Sequence, residues 1–166
     1  MKGLTNNSHL SIHRKYLFLD IDGPLNTGRN DFLNPDLYWH HFDNEAVMNL
    51  REVVERTSAV IVVSSSWRHM GLSRIQEIWR EWNLPGNVIG CTPGEWGDAE
   101  TFDTRGQEIQ RWLEKNAVEP YRFVVIDDFT KEEAVRGQEE FWITVDSQCG
   151  ISKKDADRAI QLLNQH

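Results

Sequence analysis

The sequence predicts an α/β fold: a doubly wound, three-layer sandwich around a mainly parallel five-stranded sheet. Three observations lead there. The runs at 16–19, 59–63 and 123–126 are short, apolar and rich in β-branched or aromatic residues, as strands covered on both faces are. Stretches with apolar residues at helical spacing lie between them. Strands that alternate with helices along a chain join a parallel sheet through crossovers of fixed hand. With 166 residues, 39% hydrophobic and 27% charged, the chain suits one domain with one sizeable core. That domain is expected over 13–166, behind a flexible, Asn-rich arm at 1–12 and without a large inserted cap.

The elements follow in order. The first strand, 16–19, runs into Asp20-Ile21-Asp22-Gly23-Pro24, where Gly-Pro signals a turn. A polar loop, 22–42, separates it from a helix over 44–56, with Asp43 as N-cap and Ala46, Val47, Leu50, Val53 and Val54 on one face. The strand at 59–63 ends in Ser64-Ser65-Ser66-Trp67-Arg68. A helix over 73–82 is predicted from the capping-box spacing of Ser73 and Gln76, with Ile75, Ile78, Trp79 and Trp82 as its apolar stripe. A short strand at 87–91 precedes an irregular stretch, 92–103. Thr104 and Gln107 then open a helix to 116 with Ile109, Trp112 and Leu113 inward. The strand at 123–126 ends in Asp127-Asp128, 141–145 is a fifth strand, and Ser152 starts a last helix with Ala156, Ala159, Ile160 and Leu163 buried.

Candidate chemistry collects where the strands end. Side chains of a strand alternate by face, which predicts Asp20 and Asp22 on the same side, at the edge where open α/β sheets gather ligands. Carboxylates from two strand ends, Asp20 and Asp22 with Asp127 and Asp128, make an all-oxygen set suited to Mg²⁺. Serine hydroxyls and backbone N–H groups at the second strand end suit phosphate oxygens. Arg105, in the first turn of a helix, is disfavoured by the positive helix end, which an anionic partner would offset. Nucleophile, metal, hydroxyl and cation together describe a phosphoryl-transfer site.

Asp20-Ile21-Asp22-Gly23, Ser64 after Val60–Val63, Arg105 before a helix, and Asp127-Asp128 after 123–126 resemble, in order and spacing, the four motifs of the haloacid dehalogenase (HAD) superfamily. Ser-Ser-Ser-Trp-Arg, Thr-Arg-Gly-Gln-Glu-Ile and the Gly-Ile-Ser before the final helix resemble the small capless HAD domains of RNA-repair and polynucleotide-phosphatase proteins. The resemblance implies a Mg²⁺-dependent phosphomonoester hydrolase. Asp20 would form an aspartyl-phosphate, Asp22 would act as acid and then base, Ser64 would bond a phosphoryl oxygen and Arg105 would neutralise charge. Asp20, the main-chain carbonyl of Asp22 and Asp127 would hold Mg²⁺, with Asp128 a direct or water-mediated ligand. Pro24 stands where Thr or Val is more usual, and Arg105 where Lys is.

Around this set, Gly23, Ser65, Arg68 and Trp67 are candidate substrate contacts. Any of Ser64, Ser65 and Ser66 suits a phosphate, the first best. Trp39, Trp67 and Trp96 fall near the site edge, where a ring could stack on a base or pack the loop. His40 and His41 are expected to be loop residues, since a hard-oxygen site needs no imidazole, and Arg29 is open to surface or phosphate contact. Net charge is −8, so no chain-wide basic field attracts nucleic acid or anionic lipid. No apolar run reaches membrane-spanning length, and Cys91 and Cys149 form no metal or disulfide pattern, so a cytoplasmic protein is expected. The substrate the resemblance implies is a phosphorylated small molecule, a nucleotide or a nucleic-acid end. The alternatives are a nucleic-acid 3′ or 5′ end phosphatase specifically, or a non-catalytic phosphate- or metal-binding module. Two acids one residue apart favour the enzyme, because binding alone does not need the second.

Overall fold

The central strand is β1 (Arg14–Leu19), and the computed structural model describes residues 13–29, 42–94 and 103–165 around it. The expectations for the arm at 1–12 and for Trp39, His40, His41 and Trp96 fall outside the described residues. β2 (Val60–Val63) and β4 (Tyr121–Asp127) flank β1, and β3 (Val88–Cys91) and β5 (Trp142–Thr144) form the edges. The order is β3-β2-β1-β4-β5, and every pair is parallel. The chain builds outward from β1 to β3, then returns to the other side of β1 for β4. Strand order therefore reverses between β1 and β4, the place where open sheets leave a crevice.

Alternation along β1 divides the core. Leu17 and Leu19 face a large cluster formed with helices α1 (Asn44–Thr57), α2 (Leu72–Glu81) and α4 (Lys153–Asn164). Tyr16 and Phe18 face a smaller one under α3 (Arg105–Asn116), where both rings meet Trp112 edge-on at 5.2 and 5.5 Å. Helices on both faces make the three layers. Among the described residues no helix is long and apolar enough to cross a membrane.

Three helix starts follow the sequence. Asp43 accepts from the backbone of Glu45 and Ala46, and Thr104 with Gln107 and Ser152 with Asp155 close capping boxes. The fourth does not. α2 begins at Leu72 without a side-chain cap, because a 3₁₀ turn (Ser66–Met70) feeds it directly through Gly71, whose φ of +82° suits glycine. Ser73 therefore lies inside the helix. Trp82, expected in the buried stripe, follows the last helical residue and is 40% exposed. β5 is also shorter than its apolar run: Phe141 ends a 3₁₀ turn (Glu139–Phe141), and Val145 follows the strand with its N–H still donating to Asp127 O at 2.9 Å.

Candidate active site

Register puts the chemistry in one row. Leu19 pairs with Val63 on one side and Ile126 on the other, so Asp20, Ser64 and Asp127 are the next residues at three level strand ends. The backbone continues the ladder one step further: Asp20 N–H donates to Ile126 O at 3.0 Å, and Ser64 N–H to Leu19 O at 2.9 Å. Thr92 N–H extends the row, donating to Val63 O at 2.9 Å. Each residue is thus held by its main chain, leaving its side chain to the crevice.

After Asp20 the chain turns. Leu25 and Asn26 both donate backbone N–H groups to Ile21 O, at 3.0 and 2.9 Å. Asp22 therefore owes its position to this turn, rather than to strand alternation, since β1 stops at Leu19. Its carboxylate is clamped from two sides, by Asn26 Nδ2 at 2.9 Å and the Trp67 indole Nε1 at 2.8 Å. Gly23 carries φ +92°, and a Cβ there would come within 2.7 Å of the Asp128 side chain. Only glycine lets this turn pass so close to Asp128.

Asp20, Asp127 and Asp128 each offer a carboxylate oxygen, and these oxygens lie within 4.8 Å of one another. The Asp22 carboxylate is not one of the three. Asp20 Oδ1 accepts from Ile21 N–H at 2.8 Å, and Asp127 Oδ1 from Phe129 N–H at 2.9 Å. Asp127 Oδ2 is buried and lacks a hydrogen bond. Arg105 Nε lies 3.2 Å from it, a charge contact without hydrogen-bond alignment. Burial pushes Asp20 up to about 6 and Asp127 up to about 8; Arg105 opposes both shifts, while Asp20 adds to that of Asp127. Burial also raises Asp128. One guanidinium is too little charge for three converging carboxylates. An orphaned oxygen in an all-oxygen donor set fits a hard divalent cation such as Mg²⁺.

Unsatisfied donors face the same problem from the other sign. Ser64 Oγ, Thr92 Oγ1 and Arg105 Nη1 are buried without hydrogen-bond partners, a costly state unless a ligand completes it. Ser65 differs, because its hydroxyl caps the 3₁₀ turn and accepts from Trp67 N–H at 3.4 Å. Ser66 is exposed on the 3₁₀ turn. Of the three serines, Ser64 alone combines full burial with a spare hydroxyl. Arg105 sits 5.5 Å over the Phe129 ring and 3.7 Å from Glu108 Oε2. Glu108 holds Arg68 in a two-pronged pair at 2.7 and 3.0 Å. Burial nevertheless raises Glu108, outweighing the two cations.

Asp20, Ser64, Arg105, Asp127 and Asp128 therefore come together, with Asp22 beside them and near enough to raise Asp128 further. Arg68 is engaged by Glu108, and Arg29 by Asp43 and Glu45. Sequence reasoning missed Thr92, Asn26 and Glu108. Thr92 had a usable signal, a hydroxyl after an apolar strand as at Ser64. Glu108 had none, since an acid in the first turn of a helix is ordinary.

Over residues 16–156 the chain matches the family described as the HAD domain in Swiss Army Knife RNA repair proteins. The chain belongs to this family. No match was found among curated proteins or among solved structures. The family implies a phosphatase-type hydrolase in general terms, and the matched span contains every strand from β2 to β5 and all but the first two residues of β1. In this HAD domain the acidic row, the spare hydroxyl and the buried arginine occupy the crevice between β1, β2 and β4.

Proposed function

We propose that this HAD domain is a Mg²⁺-dependent phosphomonoester hydrolase that works through an aspartyl-phosphate on Asp20, with the terminal phosphate of RNA as its substrate class. The observation that carries the reading is the meeting of three carboxylates with two orphaned donors, Ser64 Oγ and Arg105 Nη1, at level strand ends. Asp20, Asp127 and Asp128, with the Asp22 carbonyl, would hold Mg²⁺, which supplies positive charge to offset phosphate against the acids.

An Asp20 oxygen attacks phosphorus as the ester P–O bond breaks, and Asp22 gives its proton to the leaving oxygen. Asp22 then takes a proton from water, whose oxygen attacks phosphorus and releases phosphate from Asp20. Ser64 and Arg105 donate to the phosphoryl oxygens, so their unpaired burial is relieved in the complex. Asn26 and Trp67 fix the Asp22 carboxylate for both proton transfers.

One point supports an RNA end. The family description names RNA repair. A net charge of −8 disfavours tracking along many phosphates but not capture of one terminus. The test is phosphate release from p-nitrophenyl phosphate with Mg²⁺ and with chelator, then from RNA phosphorylated at the 3′ or 5′ end, mononucleotides and sugar phosphates. Turnover that needs Mg²⁺ and is fastest on RNA ends is expected. Absence of Mg²⁺-dependent release from every ester would refute the enzyme, and a preference for sugar phosphates would refute the substrate class.

A further inference from the structure

Asp22, but none of Asp20, Asp127 and Asp128, lines a cleft of about 460 Å³ walled by Phe42, Trp67, Met70, Ile78 and Trp82. Its volume is that of a site for a compact organic group. The rings come from three separate places: the residue before the α1 cap, the 3₁₀ turn and the end of α2. They form a set, with Phe42 6.1 Å from Trp67 and 5.7 Å from Trp82, the latter pair edge-on. Trp67 joins the cleft to the chemistry, since its ring walls the space while its N–H holds Asp22.

We infer that this cleft seats the nucleobase of the nucleotide whose phosphate is removed. The inference rests on the phosphatase reading of the neighbouring site. Asp22 serves the leaving oxygen, so whatever is bonded to that oxygen extends from Asp22, and Asp22 lines the cleft. The lining then selects the kind of group. Three aromatic rings offer stacking faces, which every base can use. An anionic group such as a second phosphate is disfavoured: Arg74, a cation of the lining, is already paired with Glu77 and Glu81 at 3.0 Å each, and Glu81 itself lines the cleft. A bare sugar phosphate would leave the apolar walls unfilled. The affinity a negatively charged protein cannot draw from phosphates along a strand comes instead from one stacked base.

The test compares RNA trinucleotides phosphorylated at the 3′ or 5′ end, carrying adenine or no base at the phosphorylated nucleotide, on wild-type protein, Trp82→Ala and Trp82→Phe. Wild-type kcat/KM should favour the adenine substrate by about 5- to 150-fold, the range of one base–aromatic stack. That ratio should fall toward one in Trp82→Ala and persist in Trp82→Phe. Adenosine binding to Asp20→Asn protein, followed by tryptophan fluorescence, reads the cleft without turnover and should be lost when Trp82→Ala is added. Equal rates on the two substrates, or a stronger preference for a phosphotyrosine peptide, overturn the inference while leaving the phosphatase intact. Adenosine binding that depends on Trp82, with no ester hydrolysed, upholds the cleft and overturns the phosphatase. Neither binding nor hydrolysis overturns both.

Discussion

Two regions meet at Asp22, and they are built in opposite ways. On one side, level strand ends crowd Asp20, Asp127 and Asp128 around a single guanidinium, with buried polar atoms left unpaired. On the other, Phe42, Trp67 and Trp82 enclose an apolar space, and the lining arginine is already neutralised. The first region is electrostatically incomplete and calls for a cation and an anion. The second has its arginine already paired and calls for a surface to cover its rings. Reaction chemistry and substrate choice are thereby separated in space, with Trp67 belonging to both.

The comparison breaks most sharply at Asp20. Asp20→Asn should lower kcat by about 10⁴-fold or more while adenosine binding survives, measured by phosphate release and fluorescence. A variant that turns over at the wild-type rate would remove the acidic row from the chemistry.

Glu108→Ala comes next, read in stability. It strips the carboxylate between two largely buried arginines, Arg68 and Arg105, and a broken buried pair costs about 3–5 kcal/mol. Urea unfolding should show that loss. A change under about 1 kcal/mol would mean that Arg68 is not braced by this pair.

Trp67→Phe sharpens the boundary. It keeps a ring in the cleft but removes the N–H that holds Asp22, so kcat should fall by about 10- to 100-fold with KM little changed. A rise in KM alone would place Trp67 in binding only.

The last effect is a pH-dependent one on stability. Asp20 and Asp127 hold protons in the metal-free folded state up to about 6 and about 8, against an ordinary value of 3.8. The unfolded chain releases those protons first, so their contribution is fully present below 3.8 and is lost as pH rises through 6 and then 8. Metal-free protein should therefore melt lower at pH 8 than at pH 5. Mg²⁺ at a hundredfold over its Kd should raise the pH 8 melting temperature by about 5–10 °C, with a smaller rise at pH 5. Equal rises at both pH values would show that the cation does not displace these protons.

The acidic half was legible because its signals are local. Asp20, Ser64 and Asp127 each follow an apolar run, and strands of a parallel sheet deliver their ends to one edge. Arg105 was legible from the capping box beside it. Among the three serines only a preference for Ser64 was legible, since the choice turns on which hydroxyl finds a partner after folding: Ser65 accepts from Trp67 N–H and Ser64 Oγ finds none. The cap expected at Ser73 failed for a related reason, as the turn before it delivers the chain into α2 through Gly71.

What the sequence determined by itself is the set of elements and the row of groups at their ends, because periodicity, caps and strand-ending acids act within a few residues. What only the tertiary structure decided is how distant side chains meet. Trp67 holds an acid 45 positions away in the chain, Glu108 closes on Arg68 across 40, and Trp82 leaves its expected stripe to stand opposite Phe42. Those contacts depend on the angle and spacing at which whole elements pack, quantities summed over the entire core and encoded in no short stretch of it.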